Sequence, residues 1–236
     1  MFSLKKPAAD CLDAFYPQVC VSCHQRIAEQ KLWLCGTCYD RLSYLPDQIC
    51  PKCGIPTAES VCPNCFENNY VFTRAVSVFL YEGSAKTLVH ALKYEGLTGI
   101  ADWFGNQMYK TALGEKELAE VDFVTAVPLH RVRRRERGFN QSELIARALA
   151  SRMEKPFTDK ALVRQHYTES QTLLDRHARR KNIIGAFKKG RLNPQGKSFL
   201  LIDDVFTTGT TVNEATKTLL NAGAAKVYVM TACHGT

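Results

Sequence analysis

Phe199-Leu-Leu-Ile-Asp-Asp-Val-Phe-Thr-Thr-Gly-Thr-Thr211 is the stretch that decides the fold of this chain. Residues 199–205 read as one buried strand, carrying two carboxylates near its far end, and a small hydroxyl-rich loop then leads into a helical pattern. A continuous apolar strand followed by a helix belongs to a parallel sheet whose ligands sit beyond the carboxyl ends of its strands. Asp203 and Asp204 at such an end can accept hydrogen bonds from the two hydroxyls of a ribose. Thr207, Thr208, Gly209, Thr210 and Thr211 offer backbone N–H groups, four hydroxyls and a glycine that tolerates unusual dihedrals. They open a helix whose dipole favours an anion, so the loop is a cradle for one phosphate. It is neither a Walker A loop nor a dinucleotide fingerprint, because neither G-x-x-x-x-G-K-[ST] nor G-x-G-x-x-G occurs there. The strand is expected to bury Leu200 and Ile202 while leaving the carboxylates clear of the core.

Outward from this stretch, strand and helix patterns alternate over residues 71–236. Strands are expected at 75–81, 121–128, 199–205 and 226–231, and helices at 84–94, 98–113, 142–153 and 212–222, the last closed by Gly223. A short segment lies around 161–164. Strands separated by helices imply an α/β domain with a doubly wound, mainly parallel sheet.

The first 70 residues read differently, as a small metal-binding module. Eight of the ten cysteines form four C-x-x-C pairs, Cys20/Cys23, Cys35/Cys38, Cys50/Cys53 and Cys62/Cys65. Two such pairs supply the four thiolates of a tetrahedral zinc, so eight ligands imply two zinc ions. Four sulfur ligands leave no open position for water or substrate, which makes both sites structural. So short a segment cannot bury enough apolar area to fold alone, and zinc binding can contribute on the order of 10 kcal/mol. Sequential pairing (20/23 with 35/38, 50/53 with 62/65) is the first expectation, and an interleaved arrangement (20/23 with 50/53, 35/38 with 62/65) fits the same spacings.

Lysine and arginine outnumber acids by 31 to 23 in 236 residues, and the resulting +8 favours phosphate-bearing partners. That charge is concentrated. Residues 131–137 carry a net +4 and residues 176–191 a net +7, leaving about −3 for the rest. The block Val127-Pro-Leu-His-Arg-Val-Arg-Arg-Arg-Glu-Arg-Gly-Phe-Asn-Gln141 follows the second expected strand and so opens on the same sheet edge as the threonine loop. Its guanidinium groups suit pyrophosphate. Arg133 and Arg137 are expected to face the site, and Arg134 and Arg135 to face solvent or a polyanion. At 45% hydrophobic residues the chain is too apolar for disorder, yet no apolar run approaches the roughly 18 residues of a membrane helix. The N-terminus lacks the features of a secretory signal, so no membrane insertion and a cytoplasmic location are expected.

The strand, acidic pair and T-T-G-T-T loop closely resemble the phosphoribosyl pyrophosphate (PRPP) motif of the type I phosphoribosyltransferases. The resemblance implies Asp203 and Asp204 as the catalytic pair on the ribose hydroxyls, and Thr207, Thr208, Gly209, Thr210 and Thr211 around the 5′-phosphate. Arg133 and Arg137 would then serve the pyrophosphate, and magnesium would accompany PRPP. Residues 164–187, with Gln171, Leu174, Arg176, Arg179, Arg180, Asn182 and Gly185-Ala-Phe187, lie where this fold carries a flap.

The order of motifs is narrower still. Four C-x-x-C pairs, Leu92-Lys-Tyr-Glu-Gly96, P-L-H with R-G-F-N-Q, the arginine-rich flap and D-D-V-F-T-T-G-T-T together resemble the ComF family. Phe206 departs from it, standing where a small aliphatic residue is common. The resemblance implies a cytoplasmic role in DNA uptake and natural transformation, alongside other DNA-uptake proteins. Two functions are compatible with it. One is transfer of a phosphoribosyl group with release of pyrophosphate. The other is a non-catalytic single-stranded DNA-binding module with a regulatory or vestigial PRPP site, for which Trp33, Tyr39, Tyr44 and Phe66 would supply stacking surfaces.

Overall fold

The computed structural model describes residues 18–27, 33–59, 62–166 and 183–235. Its centre is a five-stranded, wholly parallel sheet built from β1 (Arg74–Leu80), β2 (Phe123–Ala126), β3 (Phe157–Thr158), β6 (Ser198–Phe206) and β7 (Lys226–His234). The strand order is β1-β7-β6-β2-β3, which places β6 in the middle. Parallel strands need crossovers. Here these are α3 (Gly83–Tyr94), α4 (Gly99–Ala112) and the four-residue α5 (Lys116–Ala119) before β2, then α6 (Arg131–Arg137) and α7 (Gln141–Arg152) before β3. The last crossover is α8 (Thr210–Asn221). β4 (Leu162–Arg164) and β5 (Phe187–Lys189) form a separate antiparallel pair.

Helices cover both faces, and the period-two alternation of β6 distributes its side chains between them. Leu200 and Ile202 join Leu88, Phe104 and Ile145 of α3, α4 and α7, while Phe199 and Leu201 join Val212, Ala215 and Leu219 of α8. All four of these strand residues are fully buried. Each such burial is worth about 1.5–3 kcal/mol. The expectation of a single buried face is therefore corrected: a central strand in a doubly covered sheet has no open face, and Asp203 and Asp204 are buried with it.

The cysteine-rich segment wraps the β1 edge. Leu45 N–H donates to Val78 C=O at 3.1 Å and Leu80 N–H donates to Ser43 C=O at 2.8 Å, so the chain between the two cysteine clusters covers backbone groups that an edge strand would otherwise expose. Two short helices belong to this segment, α1 (Gly36–Asp40) and α2 (Pro63–Asn68). Cys20 and Cys38 are packed in the core layer of α3, α4 and α7, and Cys50, Cys53 and Cys62 in the layer of α8. Among the described residues no helix is long and apolar enough to cross a membrane.

Candidate functional site

The site forms where β6 runs out. Asp203 and Asp204 are 8% and 4% exposed. Ser142 Oγ, at the start of α7, donates to Asp203 Oδ1 at 2.8 Å, and the Asp204 N–H donates to the same oxygen at 3.0 Å. Lys93, in the last turn of α3, forms an ion pair with Asp204 Oδ2. Burial, with the neighbouring Asp204 charge adding to it, pushes Asp203 up to about 7. Burial also works against a charge on Asp204, but the Lys93 ammonium outweighs it and holds Asp204 below the usual carboxylate range. The same attraction overcomes burial at Lys93 and keeps that ammonium protonated above its ordinary range. The two adjacent carboxylates are thus shifted in opposite directions, Asp203 upward by burial and Asp204 downward by the Lys93 ammonium.

Beyond Phe206 the loop turns sharply. Gly209 has φ +67°, and a Cβ there would lie 2.5 Å from the Phe206 ring and 2.7 Å from the Tyr70 ring, so both the backbone conformation and the space require glycine. Thr208 Oγ1 and Thr210 Oγ1 are 2.9 Å apart, and the Asn213 N–H donates to Gly209 C=O at 2.9 Å as α8 begins. Thr207, Thr208 and Gly209 therefore precede the helix, while Thr210 and Thr211 form its first turn and turn their N–H groups toward the loop.

A cavity of about 410 Å³ is lined by Lys93, Glu95, Gly96, Arg133, Glu136 and Arg137 among others, and Lys93 links it to Asp204. The arginine block forms the short helix α6. His130 caps it by accepting from the Val132 N–H at 3.4 Å, Gly138 ends it at φ +83°, and the helix between them places Arg133 and Arg137 one turn apart on one side. Asn140 secures the entry into α7, donating to Val127 C=O at 3.0 Å and accepting from the Ser142 N–H at 3.1 Å. Arg137 lies over the Tyr94 ring, 5.5 Å from its centroid, and donates to Gln141 Oε1. Arg134 and Arg135 are exposed, and Arg134 pairs with Glu143 at 3.3 Å.

Some of the machinery carries no motif of its own. Lys93 falls inside Leu92-Lys-Tyr-Glu-Gly96, and its signal was a lysine four residues after Val89 on the buried stripe of α3. Ser142 resembles an ordinary residue at a helix start. Arg164 ends β4 over the Phe187 ring, and burial lowers its guanidinium even with the Asp203 charge nearby. Gln171, Leu174, Arg176, Arg179, Arg180 and Asn182 lie outside the described residues. Of the four aromatics considered for stacking, Trp33 and Tyr39 pack against the core, whereas Tyr44, set on the Phe79 ring, is 51% exposed and Phe66 83%.

Cys20, Cys23, Cys35 and Cys38 gather into one cluster and Cys50, Cys53, Cys62 and Cys65 into another, the sequential arrangement. Tetrahedral zinc with bonds of about 2.3 Å holds its sulfurs roughly 3.8 Å apart. The observed Cys23–Cys35, Cys50–Cys65 and Cys53–Cys62 separations are 3.6 Å each, so both clusters fit a structural zinc ion.

A five-stranded parallel sheet covered by helices on both faces, preceded by two four-cysteine clusters, defines a phosphoribosyltransferase-fold protein with a zinc ribbon module. The Double zinc ribbon domain family matches residues 11–68, and the Phosphoribosyl transferase domain family matches residues 140–235. The chain is 31% identical to the "DNA utilization protein YhgH" of Escherichia coli O157:H7 over 222 residues, covering 92% of this chain and 97% of that protein. It is 25% identical to "Competence protein F" of Haemophilus influenzae, covering 91% and 96% of the two chains. It is 26% identical to "Competence protein ComFC" of Bacillus subtilis, covering 88% and 90%. The chain belongs to the ComF/YhgH family.

Proposed function

We propose that the chain binds PRPP and transfers its phosphoribosyl group, with residues 71–236 as the transferase domain and residues 1–70 as its metal-bound module. The observation that carries this reading is the Lys93–Asp204 ion pair, which joins the acidic pair, just ahead of the threonine loop in sequence, to the cavity lined by Lys93, Arg133 and Arg137. PRPP has that order of groups: a 5-phosphate, a ribose diol and a pyrophosphate. The loop N–H groups and Thr207, Thr208, Thr210 and Thr211 hold the 5-phosphate, with Gly209 allowing the approach. Asp203 and Asp204 accept from the ribose hydroxyls. Lys93 is held beside Asp204 and lines the cavity, so its ammonium can serve carboxylate and pyrophosphate together. Arg133 and Arg137 receive the leaving group. The acidic pair, already partly neutralised by Lys93, suits magnesium carried mainly by substrate oxygens and water. When bound, that ion supplies neutralisation of the pyrophosphate charge.

Displacement of pyrophosphate from C1 develops positive charge on the ribose, and Asp203 and Asp204 stabilise it from the diol side. The test is calorimetric titration of PRPP with magnesium, paired with pyrophosphate release in the presence of nucleobases, ammonia or single-stranded DNA. Micromolar binding lost on replacing both aspartates with asparagine is expected. Unchanged affinity in that variant would overturn the assignment.

A second reading has its own support, from the relatives' names and from the exposed Phe66 and Arg135. In it the chain acts in the cytoplasm on incoming single-stranded DNA, with other uptake proteins, through phosphate contacts and stacking. The two are compatible. Steeply salt-dependent binding of oligonucleotides without PRPP would favour the second.

A further inference from the structure

We infer that Tyr70 is a positioning residue that couples the second cysteine cluster to the phosphate loop, so that metal in one and a 5-phosphate in the other stabilise each other. The inference rests on the phosphate reading of the loop. Tyr70 lies between α2 and β1 and is 4% exposed. Its hydroxyl donates to Thr208 C=O at 2.8 Å and lies 3.2 Å from Asn64 Oδ1. Asn64 stands on α2 between Cys62 and Cys65, and its Nδ2 donates to Cys53 Sγ at 3.8 Å. Asn68 Nδ2 donates to Asn64 Oδ1 at 2.8 Å and locks the amide in that orientation. The one phenol proton, shared between the Thr208 carbonyl and the Asn64 amide oxygen, connects a sulfur of the second cluster through one amide to the threonine loop.

Packing repeats the connection. The Tyr70 ring stacks on Phe72 with centroids 4.9 Å apart and meets Phe206 edge-on at 5.9 Å. Gly209 rests against the Tyr70 and Phe206 rings with no room for a Cβ, so a shift of either ring moves the loop. The next residue adds a third tie, Val71 N–H donating to Asn213 Oδ1 at 2.8 Å in the first turn of α8. Phe206, the family departure, is one wall of this aromatic cluster.

The metal matters because α2 has six residues, far too few to persist without outside support. Cys62 and Cys65 flank Asn64, so ligation of both sulfurs fixes the turn that presents the amide. The first cluster packs on the opposite layer with Leu88 and Phe104. Coupling is therefore specific to the second cluster, and linkage makes it reciprocal.

The test compares the full chain with Tyr70→Phe, which keeps the ring and removes the hydroxyl. Amide hydrogen exchange at residues 207–211, measured without ligand, should quicken by about 3- to 10-fold, the range set by one net hydrogen bond. Zinc content should stay at two per chain. Affinity for ribose 5-phosphate should weaken by about the same factor while affinity for inorganic pyrophosphate is unchanged, a split that general loosening would not produce. In the wild type, saturating ribose 5-phosphate should slow chelator removal of one zinc of the two, and in Tyr70→Phe this protection should shrink. Asn64→Ala breaks the middle link and should reproduce the loop exchange. Equal loop exchange in all three proteins, or equal protection of both zincs, would overturn the coupling. If the wild type itself does not bind ribose 5-phosphate, the phosphate reading fails, and the ligand-free exchange comparison still decides whether Tyr70 orders the loop.

Discussion

Replacing Lys93 with methionine removes the ammonium while retaining most of the stem volume, and it leaves two adjacent buried carboxylates without their internal cation. The side chains of Lys93 and Asp204 are 19% and 6% exposed, so water cannot take over the neutralisation. Breaking such a pair by removing one partner costs about 3–5 kcal/mol. At about 2–4 °C per kcal/mol for a chain of this size, the melting temperature should fall by roughly 6–20 °C at pH 7.5. The pH dependence has a definite sign. In the wild type, Asp204 is held below its unfolded value, so its contribution is present above pH 4 and lost as pH falls through the depressed value. In Lys93→Met both carboxylates are raised, which favours the protonated folded state, so the variant loses stability as pH climbs from about 4. The gap between the two proteins should therefore widen from pH 4 to 8. Urea unfolding across that range measures it, and adding Asp204→Asn to Lys93→Met should recover most of the loss. A gap below about 1 kcal/mol that does not change with pH would mean that Lys93 behaves as a surface lysine, and would refute the buried pair.

Gly209→Ala should lose about 2–4 kcal/mol of stability or refold its loop, from left-handed strain plus contact with the Tyr70 and Phe206 rings, and thermal unfolding with ribose 5-phosphate titration would separate the two. Because Asp203 is raised to about 7, the ratio of affinities for ribose 5-phosphate and inorganic phosphate should rise with pH through that value. Ser142→Ala should move the midpoint upward, since the lost hydrogen bond lowers Asp203; a midpoint unmoved in that variant would argue against the assignment. Elemental analysis of protein purified without chelator should find two zinc ions per chain, and Cys53→Ser should leave one. If single-stranded DNA binds through exposed arginines, Arg135→Ala should reduce the slope of log affinity against log salt by up to about 1, whereas binding insensitive to salt would dismiss that reading.

The sequence alone determined whatever is settled within a few residues. Four C-x-x-C turns specify sulfur chelation because two thiolates that close together need little else to bind one ion. Residues 199–211 specify strand, acidic pair and loop because apolar continuity, carboxylates and a glycine among threonines each act locally. Tertiary structure decided which cysteine pairs join, bringing neighbouring pairs together as first expected although both arrangements met the same spacings. It decided that both faces of β6 are covered, and so that Asp203 and Asp204 are buried and in need of a cation. Lys93 and Tyr70 stand 111 and 138 residues from the groups they hold, Asp204 and Thr208. No local pattern names those partners, because a buried charge or hydroxyl acquires its role from the group that folding brings to it.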